Sequence, residues 1–191
     1  MSMKKILILF LILLPQLSSA DELNDFQIEG ISLGESLLNY FPEKEIKAAE
    51  YKNPVDKKDK YRISAIYSKK FKTYHAIEFS YLKNDKKYII AGMSSALTGL
   101  SEKKFEDSYN KIVSDLKKFF PNAQVLADKP IHPWNKKAKT KRTNFKINPR
   151  DKFYSISAVY LNFPEDETRF VDNVGVTINT DEYNIYLNAI E

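Results

Sequence analysis

The only two histidines of the chain, His75 and His132, are the residues best suited to acid–base or metal chemistry. Their number rules out a metal site built from several imidazoles, and the absence of cysteine rules out thiolate ligands, thiol catalysis and disulfides. In a strand, Glu78 would lie on the face opposite His75, so a structural role is expected for His75. An exposed loop position is expected for His132. The alternative is a hydrolase in which either imidazole works with a carboxylate from distant sequence.

No short motif supplies the groups of a catalytic site. Ser36 does not fit a nucleophile elbow, because Leu37 occupies the position of that motif's second glycine, and helix capping explains the serine better. Gly30 and Gly34 lack the spacing and the Lys-Ser or Lys-Thr ending of a phosphate-binding loop. The carboxylates at 165–167 fall in a predicted hairpin tip, where water solvates them. The sequence therefore predicts no catalytic residue, no metal and no cofactor.

Residues 136–152 are the most unusual local feature, because they hold eight basic side chains against the single acid Asp151, a net charge of +7. Residues 163–182 hold six acids against Arg169, a net charge of −5. Three interpretations stay open: a solvated loop, a surface for polyanions or anionic lipid, and an internal charge match between the two stretches. Trp134, beside the lysines, could stack on a base, a sugar or another ring, although tryptophan is more often a packing anchor.

These features favour a non-enzymatic binding or accessory protein that uses its sheet edge or the loop from Trp134 to Arg142. The expected partner is a protein or an anionic component of the cell envelope. Binding of a polyanion through the basic segment 136–152 is a further alternative. The candidate binding residues are His132, Trp134, Lys136, Lys137, Lys139, Lys141 and Arg142.

The first twenty residues have the three parts of a secretory signal peptide. Two lysines precede an apolar run from Ile6 to Leu14, and small residues end the segment at Ala20. The run of nine residues is shorter than the roughly 20 that cross a bilayer, so no permanent membrane anchor is expected. Cleavage between Ala20 and Asp21 would release the protein into the periplasm, with secretion beyond the cell left open.

The predicted mature chain, residues 21–191, has the size of one domain. Removal of the leader takes away two of the 30 basic residues and none of the 25 acids, which leaves 28 − 25 = +3. This small net charge and the predicted export both disfavour nucleic acid as a partner.

Hydrophobic periodicity predicts an α+β fold, in which an antiparallel β-meander carries one long helix and shorter helices near both ends of the chain. The long helix is predicted over 102–120 with Ser101 as its cap, and short helices over 36–41, 43–49 and 181–190. In the strand 61–67, the odd-numbered residues are expected to share a half-buried face. The predicted strands are 25–28, 61–67, 72–82, 87–97, 123–127, 142–147, 152–163 and 169–179.

The order of three strands followed by a helix occurs twice in this prediction. The stretches 63–67 (Ile-Ser-Ala-Ile-Tyr) and 156–160 (Ile-Ser-Ala-Val-Tyr) are also alike. An internal β-β-β-α duplication would explain both observations, but so short a match could equally reflect shared strand chemistry.

The stretch 26–38 (Phe-Gln-Ile-Glu-Gly-Ile-Ser-Leu-Gly-Glu-Ser-Leu-Leu) resembles an uncharacterised family of small exported proteins common in marine alphaproteobacteria. The segments 84–88, 132–143 and 174–183 are similar to the same family, so the likeness spans most of residues 21–191. No motif in it is diagnostic of chemistry. The resemblance implies export, a single small α+β domain and no particular activity, and it transfers no catalytic residue.

We expect the protein recovered from the cell envelope to begin at Asp21, because the small residues that end at Ala20 match the cleavage rule for secretory leaders. Intact-mass measurement and N-terminal sequencing of protein from the periplasmic fraction check this. Recovery of the uncleaved chain from cytosol, with Met1 still attached, would contradict it.

Overall fold

One eight-stranded antiparallel sheet organises the protein and carries an 18-residue helix together with shorter helices. The computed structural model describes residue 23 and residues 25–52, 58–132, 134–148 and 155–189, so the predicted leader lies outside the described residues. The predicted α+β fold is confirmed. The strands are β1 (Glu50–Lys52), β2 (Tyr61–Tyr67), β3 (Ala76–Leu82), β4 (Gly92–Thr98), β5 (Gln124–Asp128), β6 (Lys139–Lys146), β7 (Ile156–Asn162) and β8 (Asn173–Asn179). The helices are α1 (Glu43–Ala48), α2 (Glu102–Phe119) and α3 (Asp181–Asn188), and Leu37–Asn39 form a 3-10 turn.

Two four-stranded meanders meet along β4 and β8, because the strand order is β1-β2-β3-β4-β8-β7-β6-β5. Each meander is followed by a helix that packs across the junction. Helix α2 follows β4 of the first meander and packs on β7 and β8 of the second. Helix α3 follows β8 of the second meander, and its tyrosines pack on Tyr61 of β2 in the first. The crossed helices therefore tie each meander to the other.

The junction of β4 and β8 is closest at Ser95 and Gly175, a contact that we call the seam. Regular pairing between the two strands is interrupted there. The Ser95 hydroxyl donates a hydrogen bond to the Val176 carbonyl oxygen (3.0 Å) and accepts one from the Val176 N–H (2.9 Å). A Cβ at position 175 would overlap the Ser95 carbonyl oxygen, so only glycine lets the two backbones approach this closely.

The main core lies between α2, the N-terminal segment and one face of the sheet. Helix α2 turns Phe105, Tyr109 and Leu116 toward the sheet, and their spacing of four and seven residues places them on one helical face. Strands β3, β7 and β8 each contribute alternate residues, as expected from the two-residue period. The N-terminal segment adds Ile28, Ile31, Leu37, Phe41 and, on α1, Ile46.

The opposite face of the sheet is covered in part by α3, where three tyrosines form a second cluster. The ring of Tyr61 lies 4.6 Å from that of Tyr183 and 4.9 Å from that of Tyr186. The expectation for the odd-numbered face of β2 holds only in part, since Tyr61 is buried while Tyr67 at the other end is exposed. The neighbour Ile66, on the other face, joins the main core instead.

Glu29 fixes the N-terminal segment to the connection before β3. Its carboxylate accepts hydrogen bonds from the backbone N–H groups of residues 72–74 at 2.6–3.0 Å. Burial raises the pKa of Glu29, but the three donors outweigh it and lower the pKa below its ordinary value. The predicted strand 25–28 is wrong, because Glu29 and Gly30 take positive φ angles (55° and 79°) and leave only an isolated bridge between Ile28 and Ile31.

Several element boundaries differ from those predicted. The helix expected over 36–41 is a single 3-10 turn, although Ser36 caps it by accepting the Leu38 N–H (3.2 Å) as expected. Ser101 precedes α2 at the cap position, but its side chain makes no capping bond. Strand β1 was not predicted, because all three of its residues are exposed and show no alternation. Strand β6 begins at Lys139, inside the segment predicted as a loop.

The two similar five-residue stretches, 63–67 and 156–160, do not lie in equivalent strands of the two meanders. Residues 63–67 lie in β2, the second strand of the first meander, whereas 156–160 lie in β7, the third strand of the second. In a duplication, β2 would be equivalent to β6, and β3 would be equivalent to β7. The short match therefore does not support a duplication, and the mirrored strand order is the feature that remains in favour of one.

We expect Gly175→Ala to lower the free energy of unfolding by about 3 kcal/mol or more, because the added methyl group meets backbone atoms that cannot move without opening the seam. Gly92→Ala is the matched control, since its methyl group would meet side-chain atoms of Asn179 (2.5 Å) and Tyr183 (2.8 Å) rather than backbone atoms. We expect a loss of about 1 kcal/mol there. Urea unfolding of both variants measures the difference, and equal losses would contradict the account of the seam.

Candidate functional site

A cleft of about 1030 Å³ opens at one end of the sheet, and we call it the aromatic cleft. Both meanders contribute to its walls. The first supplies residues at the ends of β2 and β4 and the start of α2, and the second supplies the start of β6 and the 162–172 connection. Its principal lining residues are Tyr67, Leu100, Phe105, Lys137, Phe163, Glu165, Phe170 and Val171.

Four ring side chains, the aromatic cluster, pack together beside this cleft. His132 meets Phe163 and Phe170 edge to face, with ring centroids 5.0 Å apart in both cases. Trp134 stacks on Phe170 at 6.0 Å, and Phe170 in turn stacks on Phe163 at 5.3 Å. Edge-to-face and offset stacked arrangements are those that aromatic rings prefer. The cluster thus joins the 132–134 segment to the 162–172 connection, although the two are far apart in sequence.

Glu167 makes the main polar contacts of the 162–172 connection. Its carboxylate accepts a hydrogen bond from the Asn135 side chain (2.8 Å) and forms a two-pronged pair with the Arg169 guanidinium (3.1 Å on both arms). These partners, Arg169 first, lower the pKa of Glu167 to about 2. The prediction of a fully solvated carboxylate is wrong for this residue, whose side chain is only 6% exposed. Arg169 also lies over the Phe170 ring at 5.3 Å.

His132 is a structural member of the cluster. Its Nδ1 atom accepts a hydrogen bond from the Asn135 N–H (3.1 Å), which shapes the turn after Trp134. Burial lowers the pKa of His132 from its ordinary value of 6.5, and the nearby Glu167 carboxylate opposes this by raising it. Among the described residues, no carboxylate lies within hydrogen-bonding distance of the imidazole.

The lysines and arginine of the predicted binding loop divide into two groups. Lys139, Lys141 and Arg142 are each paired: with Glu102 of α2 at 2.8 Å, with Glu106 of α2 at 2.5 Å and with Asp128 of β5 at 2.7 Å. Lys136 and Lys137 are exposed, and their ammonium groups make no ion pair with any residue that the structure describes. Three of the five basic side chains between Trp134 and Arg142 are therefore matched internally, by α2 and β5 rather than by the acidic stretch 163–182.

His75 lies outside the aromatic cleft, immediately before β3 rather than within it. Its Nδ1 atom lies 3.2 Å from both the Thr98 hydroxyl oxygen and the Thr98 backbone nitrogen, at an exposed position. This contact joins the start of β3 to the end of β4. The geometry supports the expected structural role, and it brings no carboxylate to the ring in the described part of the chain.

A second opening, of about 720 Å³, lies between α1 and the β3–β4 turn. Several of its charged groups already have partners within the protein. Lys47 pairs with Glu43 (2.8 Å), and Glu50 accepts a hydrogen bond from the Tyr81 hydroxyl (2.8 Å). These pairs leave fewer groups for a ligand to bind, and the aromatic cleft is the better candidate site because apolar and aromatic side chains line it.

Comparison with protein-family models, with curated proteins and with solved structures found no match for the chain. Within the described residues, no helix is both long and apolar enough to cross a membrane. In the same ranges, no group of three or more histidine, aspartate or glutamate side chains is arranged to hold a metal ion.

The sequence analysis identified residues on only one wall of the aromatic cleft. His132, Trp134 and Lys137 were candidates and lie at the cleft, whereas Phe163, Phe170, Val171 and Tyr67 were not singled out. Phe163 and Phe170 flank the acidic turn at 165–167, and two aromatic residues that bracket a polar turn are a signal that could have been used. Tyr67 carried no such signal, because its exposure depends on where the strand ends in the sheet.

We expect the His132 imidazole to titrate below 6.5 in NMR spectra, because its burial among aromatic rings disfavours the charged form. The stabilisation from the neutral ring is complete above about 6.5 and is lost as the pH falls toward the lowered pKa. Glu167→Gln removes the charge that raises this pKa, so its midpoint should fall further. A midpoint at or above 6.5, or a rise in the variant, would contradict the proposed packing.

Proposed function

We propose that this protein is exported to the cell envelope, where, once residues 1–20 are removed, it binds another protein without catalysing a reaction. The binding surface is the aromatic cleft together with the adjoining aromatic cluster. The leader sequence supports export, and the surface of the cleft supports binding.

The observation that carries this proposal is the position of the most exposed large apolar side chains. Among the large hydrophobic residues that the structure describes, the three most exposed are Ile131 (76%), Tyr67 (74%) and Val171 (65%). Tyr67 and Val171 line the aromatic cleft, and Ile131 precedes His132 of the aromatic cluster. Trp134 of the cluster is itself 49% exposed. Apolar groups gathered in this way on a monomer, with a polar rim, are typical of an interaction site.

The charges around the cleft favour a protein partner over a polyanion. Lys136 and Lys137 have no ion-pair partner in the described residues, but neither do Glu165 and Asp166 on the 162–172 connection. The rim therefore offers both signs, which suits the mixed charges of a protein surface better than a uniformly anionic polymer or lipid. The anionic envelope component and the polyanion considered from the sequence are the less favoured partners for this reason.

The geometry of the two imidazoles favours binding over the hydrolase alternative. Catalysis would need a histidine within hydrogen-bonding reach of a carboxylate or a hydroxyl in a cleft. The Nδ1 atom of His132 accepts a hydrogen bond from a backbone N–H. His75 does not line the cleft; it contacts the hydroxyl of Thr98, which does, but it has no carboxylate partner among the described residues. Binding requires neither group to transfer a proton, so it accounts for the site with fewer assumptions.

We expect a photo-crosslinking amino acid at Tyr67 or Val171 to capture a discrete partner in cells, because both side chains would be buried by that partner. The same residue at Ile185 is the control, since Ile185 is exposed on α3. Equal capture at all three positions would contradict the proposed surface.

With the captured partner purified, we expect Trp134→Ala to weaken binding at least about tenfold, because exposed tryptophans at the centre of an interface dominate its energy. Lys136→Glu with Lys137→Glu should also weaken it, whereas the matched pair Lys86→Glu with Lys87→Glu should not. Calorimetry measures the four affinities. Unchanged binding in the Trp134 and Lys136/Lys137 variants would eliminate this part of the cleft.

A further inference from the structure

Strand β5 (Gln124–Asp128) is an open edge of the sheet. It is the last strand in the order and pairs only with β6. In the described residues, its backbone groups that point away from β6 have no hydrogen-bond partner. Such a row of free N–H and C=O groups is a template for another extended chain.

This edge lacks the usual features that prevent pairing. Its first four residues are exposed and uncharged, and they include the half-exposed apolar residues Val125 and Leu126. No proline or lysine interrupts the strand, and its pairing with β6 contains no bulge. The one charge, on Asp128 at the end, is neutralised by Arg142 of β6. Natural edges are commonly protected by charge, proline or bulges, and the only one of these within β5 is the charge of Asp128, which is already paired with Arg142.

We propose that β5 pairs antiparallel with β5 of a second copy of this chain, about a two-fold axis at Leu126. Directly opposed residues in an antiparallel ladder share a face of the sheet. This register places Leu126 against its own copy and Val125 against Ala127 of the partner subunit. It also places Gln124 against Asp128 of the partner subunit.

The charges on this face fit the same register. In each chain, Lys146 lies opposite Gln124, and Arg142 lies opposite Asp128. Across the two-fold axis, the row would run from Lys146 through Gln124 to Asp128 of the partner subunit and then to its Arg142. The carboxylate would thus accept from the Gln124 amide while its own arginine neutralises it. No like charges face each other directly, which a pairing of two identical strands must avoid.

The other edge of the sheet is a poor competitor for β5. Strand β1 has only three residues and ends in Lys52. Its Tyr51 hydroxyl donates to Glu78 of β3 (2.7 Å), which folds that side chain back over its own sheet. A pairing of β5 with β1 would also repeat without closing and would form fibres, whereas β5 with β5 closes after two copies.

The dimer is expected to be weak. A ladder of five residues a side falls short of the roughly 1,200–2,000 Å² buried in stable interfaces. We therefore expect a dissociation constant between about 1 and 100 μM. No residue of β5 is among those that line the aromatic cleft, so this association is proposed separately from the binding function and neither depends on the other.

A single cysteine tests the register directly, because the chain contains none of its own. Opposed residues in an antiparallel ladder have Cα atoms about 4.5–5.5 Å apart, which suits a disulfide. We expect Leu126→Cys to form a disulfide-linked dimer under mild oxidation. Ile185→Cys is the matched control, because the two side chains are 48% and 47% exposed. Crosslinking of Leu126→Cys no greater than that of the control would overturn the proposal.

Sedimentation of the protein purified after expression of the full chain supplies the second measurement. We expect a monomer–dimer equilibrium that Leu126→Lys abolishes and Ile185→Lys preserves, with the far-ultraviolet spectrum and melting temperature of both variants close to those of the parent. A parent that stays monomeric up to about 500 μM, or a dimer that survives Leu126→Lys, would overturn the proposal. A monomer whose β5 amides become protected only on binding a foreign protein would assign the edge to that protein instead.

Discussion

The close approach of Ser95 and Gly175 is the constraint on which the rest of this structure depends. It joins two meanders that would otherwise each end in an open edge strand, and it does so where the regular ladder between β4 and β8 is interrupted. The Ser95 hydroxyl supplies both a donor and an acceptor to Val176 and so replaces the missing backbone bonds. The Ser95 hydroxyl and the backbone groups of Val176 are buried, so the hydrogen bonds between them avoid the cost of unsatisfied polar atoms inside the protein.

The candidate site exists only because the seam holds the two meanders in one arrangement. One wall of the aromatic cleft comes from the ends of β2 and β4, and the other comes from β6 and the 162–172 connection. The ion pairs of Lys139 and Lys141 with α2 cross the same boundary, since α2 follows the first meander. Basic residues that looked available for a ligand thus serve to attach the second meander to the long helix, and among the basic residues between Trp134 and Arg142 only Lys136 and Lys137 lack an ion pair with a described residue.

Local patterns were sufficient to predict the elements but not their arrangement. The spacing of Phe105, Tyr109 and Leu116 identified α2 from sequence, and alternation identified most of the strands. Strand β1 was not predicted, because a short exposed strand shows no alternation of buried and exposed residues. The seam could not be predicted, because no sequence feature near Gly175 indicates that Ser95, eighty residues earlier, will approach it. The same distance in sequence hid the partners of Lys139 and Lys141, so the basic segment looked more available than it is.

Hydrogen exchange of the intact protein tests most directly whether the seam makes the two meanders one unit. The amides of β4 and β8 should be the slowest to exchange, and the core strands of both meanders should share a single opening free energy, because loss of the seam exposes both at once. A result in which β6 and β7 keep their protection after β2 and β3 have exchanged would show two independent units and would contradict this account.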